Sequence, residues 1–100
     1  MSDVLLTLIL PQDIAEEVED TLLSRPDLVV GFTSHTAYGH GSSIKLVAAS
    51  EMVAGHVPRT VINSVGPEAK MREVLALIKQ TLPLANLYYW LVPVSEVGRL

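Results

Sequence analysis

The chain has 100 residues, 49% of them hydrophobic, a net charge of −4 and no cysteine. That length suits one compact domain spanning 1–100, and the lack of cysteine excludes disulfide frameworks, Cys-rich zinc sites, iron–sulfur clusters and thiolate copper. The seven basic residues are scattered and form no stripe able to neutralise a phosphate backbone, so nucleic acid is not an expected partner.

Residues 4–10, VLLTLIL, are rich in leucine and β-branched side chains and stop at Pro11, as a first strand does. The stretch MSDVLLTLILPQD has no leading positive charge and no small-residue cleavage site. No apolar run reaches the roughly 20 residues of a membrane span. These features predict a cytoplasmic protein without membrane insertion. In PQDIAEEVEDTLLSRP the period changes: Ile14, Val18 and Leu22 fall at helical spacing, and Glu16, Glu17, Glu19 and Asp20 occupy the other face. Asp13 with Glu16 reads as a capping box, and Pro26 closes the helix.

LVVGFTSHTAYG, 28–39, reads as a second strand and VPRTVINSV, 57–65, as a third. Gly66-Pro67 opens a second helix with proline at its first position. Met71, Val74, Leu75, Ile78 and Leu82 form its buried stripe, and Pro83 stops it. NLYYWLVPV, 86–94, is the fourth strand, followed by the tail SEVGRL. The order βαββαβ predicts an α+β, ferredoxin-like fold, a four-stranded antiparallel sheet with two helices on one face.

Strands one and four are apolar on both sides. Val4, Leu6, Leu8 and Leu10 alternate with Leu5, Thr7 and Ile9; Leu87, Tyr89 and Leu91 alternate with Tyr88, Trp90, Val92 and Val94. Two helices cover one face only, so a wet second face would cost several kcal/mol at roughly 25 cal/mol per Å². The pattern therefore predicts an obligate homo-oligomer.

Between strands two and three, GHGSSIKLVAASEMVAGH (39–56) is longer than most connections in compact domains, which marks it as a functional segment or a decorated hairpin. His40 and His56 flank its base, Glu51 lies between them, and His35 precedes it. Histidine nitrogens with one carboxylate suit zinc, copper(II) or nickel. The turn Gly39-His40-Gly41 offers backbone donors and Arg59 a cation, which together suit an anion. The glycines also serve simply to turn the backbone. Ser42 and Ser43 lie near His40 but lack an orienting acid, so no enzyme is expected.

GFTSHTAYGHG, SEMVAGHVPRTVI and NLYYWLVPVSEVGRL together resemble a bacterial group of small PII-like proteins, often encoded beside heavy-metal efflux pumps of the resistance–nodulation–division type. The most specific parts are Gly39-His40-Gly41, Glu51 to Gly55, Tyr89-Trp90 with Pro93, and Gly98-Arg99-Leu100. YYWLVPV is also similar to the tail of CutA-type trimers. The resemblance implies a homotrimer whose sheets line the centre, with a T-loop-like connection over about 40–56. It also implies an effector cleft between subunits near the base of that loop. The basic signature of nucleotide-binding PII proteins and their modifiable loop tyrosine are absent.

The function expected from all this is a non-enzymatic, PII-like regulator linked to metal efflux. It would take a divalent metal at His40 and His56, with Glu51 or His35, and meet an efflux-system or regulatory protein through residues 41–55. The alternative is an adenine-nucleotide module, with the Gly39 and Gly41 backbone and Arg59 and Arg99 on the phosphates.

Overall fold

The period-two sequence of the first strand sorts its side chains between the two faces of the sheet. In extended backbone, Val4, Leu6, Leu8 and Leu10 point to one face and Leu5, Thr7 and Ile9 to the other. The structure, a computed structural model, describes residues 2–40 and 57–100. Strand β1 (Asp3–Pro11) pairs antiparallel with β3 (Val57–Pro67) on one side and β4 (Tyr88–Pro93) on the other, and β2 (Thr33–Gly39) pairs with β3. The sheet order is β2-β3-β1-β4. Helices α1 (Ala15–Leu23) and α2 (Glu68–Thr81) complete the ferredoxin-like α+β fold. Among the described residues no helix is long and apolar enough to cross a membrane.

One face carries the core. Leu6, Leu8 and Leu10 of β1 and Ile62 of β3 are buried with Val18 of α1 and Met71 of α2. Gly66 lies close under this packing: a Cβ there would sit 3.0 Å from the Met71 Cε, so that methyl would have to give by a few tenths of an ångström. Val74 and Ile78 are also buried, and Leu75 and Leu82 are half-buried, as the helical stripe predicts.

Several local expectations are corrected. Residues Gln12–Ile14 form a 3-10 turn, so α1 starts at Ala15 behind Ile14, without any side-chain cap. The Asp13–Glu16 capping box does not form, because Asp13 lies inside that turn and the Ala15 N–H bonds to the Gln12 carbonyl instead. Strand β2 starts at Thr33, not Leu28: the Leu28 and Val29 N–H groups both donate to the Arg25 carbonyl, each at 3.0 Å. The turn they make still buries Leu28 and Val29 in the core. Pro67 ends β3 and precedes α2, so it holds no helical position. β4 spans Tyr88–Pro93, shorter than 86–94.

The register gives the sheet two distinct ends. At one, Pro11 faces Arg59 and Gly39 faces Val57. At the other, Asp3 faces Pro67. The Glu68 N–H donates to the Ser2 carbonyl at 3.2 Å, which pins the start of α2 at the Asp3 end. The helix then runs back to the Pro11 end, where β4 begins with Tyr88 opposite Ile9.

Candidate functional site

The pairing of β2 with β3 builds the base of the connection. Gly39 and Val57 are the last paired residues before it, Ala37 faces Arg59 one step in along this face, and His35 faces Val61 after that. Because side chains alternate along a strand, His35, Ala37, Arg59 and Val61 share the face away from the helices. His40 is exposed and directly follows β2.

His35 and Arg59 are diagonal neighbours across β2 and β3, a relation that spans roughly 7–8 Å in antiparallel sheets. Two physical consequences follow. The His35 Nδ1 lies 3.3 Å from the Thr36 carbonyl oxygen; in the neutral tautomer that donates there, Nε2 carries the lone pair a metal would take. The Arg59 guanidinium meanwhile disfavours a second cation nearby, by on the order of 1 kcal/mol or more for a divalent ion, and favours an anion. Among the described residues no three His, Asp or Glu side chains cluster as a metal-holding group.

Glu51, His56 and Gly41 lie outside the described residues, as does the rest of 41–55. Arg99 lies in the tail after β4, and β4 delivers that tail at the Asp3 end, where the Val94 N–H donates to the Asp3 carbonyl at 3.0 Å. Arg59 stands at the opposite end, a strand length of about 26 Å away. The strand geometry therefore brings Gly39, His35 and Arg59 together at one end of the sheet and leaves Arg99 leaving from the other.

Two features escaped the pattern reading. An open groove of about 330 Å³ runs between the end of α2 and the start of β4, lined mainly by Leu75, Ile78, Leu82 and Leu87, with Lys79 and Tyr89 as its polar groups. Its signal was the apolar stripe continuing past Ile78 into Leu82 before Pro83 turns the chain away. The second is a hydrogen bond on the open face, from the Thr7 hydroxyl to Asn63 Oδ1 at 2.7 Å. Thr7 is the one polar residue between Leu5 and Ile9.

In sequence, residues 1–100 match throughout the family described as a protein of unknown function, DUF3240. The chain belongs to the DUF3240 family. No protein of curated function matches it in sequence. Among solved structures, a DUF3240 family protein from Shewanella baltica OS155 is similar with a TM-score of 0.80 and 21% identity, covering 100% of this chain and 98% of that one. CPII, a nitrogen regulatory PII-like protein from Thiomonas intermedia K12 bound to ADP, AMP and bicarbonate, is similar with a TM-score of 0.70 and 22% identity, over 99% of this chain and 96% of that one. A functionally unknown protein from Pediococcus pentosaceus has a TM-score of 0.66 and 15% identity, over 100% and 99% of the two chains. At these identities what is shared is the fold, and this DUF3240 chain has a PII-like structural neighbour.

Proposed function

We propose that this DUF3240 chain is one subunit of a trimeric, non-enzymatic, cytoplasmic regulator of the PII type. It binds a small anionic ligand of the adenine-nucleotide kind where the 41–56 connection springs from the sheet, and signals to a protein partner through residues 41–55. The observation that carries this reading is the position of Arg59, facing Ala37 beside the Gly39–Val57 pair and diagonal to His35. A guanidinium at such a place offers paired donors to phosphate oxygens. Support also comes from the fold shared with CPII, itself bound to ADP, AMP and bicarbonate. In this reading Arg99 reaches the same ligand from a neighbouring subunit, because its own strand carries it away from Arg59.

A second reading is favoured by the free Nε2 that the His35 geometry leaves. There a divalent zinc, copper or nickel ion is held by His35 and His40 with Glu51 and His56, and the partner belongs to a heavy-metal efflux system. The neighbouring Arg59 weighs against it.

Thermal unfolding separates the two. ADP or AMP is expected to stabilise the wild-type protein, by about 2.7 kcal/mol at one hundred times its dissociation constant, and to leave Arg59→Ala unshifted. A shift by zinc, copper or nickel that disappears in His40→Ala/His56→Ala transfers the site to the metal reading. Stabilisation by neither class overturns both.

A further inference from the structure

The open face of the sheet is apolar on either side of one polar rung. Leu5, Val65 and Val92 face one another on one side of it, and Ile9, Val61 and Tyr88 on the other. Between them Thr33, Asn63, Thr7 and Trp90 stand in line across all four strands. Thr7 is only 4% exposed, and its single proton goes to Asn63 Oδ1. The Asn63 Nδ2 donors and the Thr33 hydroxyl make no hydrogen bond among the described residues.

An apolar pair at this rung would bury equally well and would need no partners, since polar groups taken out of water without hydrogen bonds are destabilising. The rung is also electrically neutral and contains both donors and acceptors. The flanking rungs carry no carboxylate, lysine or arginine; His35 ends the Ile9 rung, and Arg59 and Asp3 lie beyond them at the two ends of the sheet. A surface of this kind is complementary to itself: a second copy meets it without opposing like charges, whereas a strongly acidic or basic partner finds no counter-charge in its middle.

We propose that the Thr33–Asn63–Thr7 rung is a register pin, which fixes how copies of this chain seat on one another across the open face. The Asn63 Nδ2 donates to the Thr33 hydroxyl or the Asn63 carbonyl of a neighbouring copy. The apolar rungs supply most of the association, but apolar contact is non-directional and tolerates sliding. A buried amide that bonds in only one alignment selects a single arrangement, at some loss of affinity, as a buried asparagine does in coiled coils. This inference rests on the assembly reading above and names the contact that gives it one geometry.

The test is native mass spectrometry with sedimentation velocity on the wild-type protein and on Thr7→Val/Asn63→Leu, in which both partners of the hydrogen bond are replaced so that neither is stranded. Wild type is expected to show one oligomer size. The double variant is expected to assemble at least as tightly but to show about tenfold more of other sizes, the scale of one lost hydrogen bond. Thr33→Val, on an exposed edge position, is expected to shift the distribution the same way and serves where the double variant does not fold. Variants with the single wild-type size overturn the pin and leave the assembly standing. A wild-type protein that is monomeric at micromolar concentration overturns the assembly, and the pin with it.

Discussion

Leu8 and Ile9 are adjacent, equally apolar and on the same central strand, yet Leu8 is 1% exposed and Ile9 is only half-buried. The difference lies in what covers each. Leu8 points into the layer closed by Val18, Met71 and Val74, and Ile9 lies between Val61 and Tyr88 on the face away from the helices. On that second face Tyr88, Trp90 and Val92 remain 43–47% exposed. The comparison shows that two faces of similar hydrophobicity perform different tasks. The covered one holds the subunit together, while the open one stores apolar surface of the kind that marks an interaction site.

That contrast can be broken by single substitutions. Leu8→Ala removes a side chain from a closed layer and is expected to destabilise the subunit by about 2–5 kcal/mol, read by urea denaturation. Ile9→Ala on the other side of the same strand is expected to destabilise the isolated subunit by only about 1 kcal/mol, because part of that side chain already meets water. Its larger effect should appear in sedimentation, as weaker association. Equal losses of subunit stability in the two variants would show that the faces are not distinct.

The smallest effect is expected away from both faces, in the turn after α1. Arg25 binds Asp27 through Nε at 2.9 Å and a second guanidinium nitrogen at 2.8 Å. The hydrogen bond from Arg25 is the main cause holding the Asp27 carboxyl below its ordinary value of 3.8. A carboxyl depressed in the folded state stabilises it at pH values above that ordinary value, and the contribution fades as pH falls through the lowered folded value. The pair is solvent-exposed, so the contribution is small. The stability difference between wild type and Asp27→Asn should therefore be present at neutral pH and vanish in acid. A difference that persists unchanged at pH 2 would contradict this account.

Much of the architecture was legible in the residues. The alternation in β1, the helical stripe from Met71 to Ile78 and the βαββαβ order depend on local periodicity, which a sequence displays directly. The start of β2 was not legible: Leu28 and Val29 look like strand residues, but their N–H groups are drawn to the Arg25 carbonyl, and a turn buries them just as well. The capping box failed for a similar reason, since a 3-10 turn consumed Asp13. At the candidate site the sequence named His35, Gly39 and Arg59 without showing that all three meet at one end of the sheet, with His35 and Arg59 on one face. That juxtaposition comes from strand register, which joins residues far apart in the chain.

The sequence by itself determined the fold class and the fact that both sides of β1 are apolar, because side-chain period and hydrophobicity are local properties. Only the tertiary structure decided which side the helices close, that Thr7 and Asn63 meet on the other, and that Arg59 stands beside His35. Those outcomes depend on pairing between β1, β2 and β3, and pairing is settled by the packing of the whole chain.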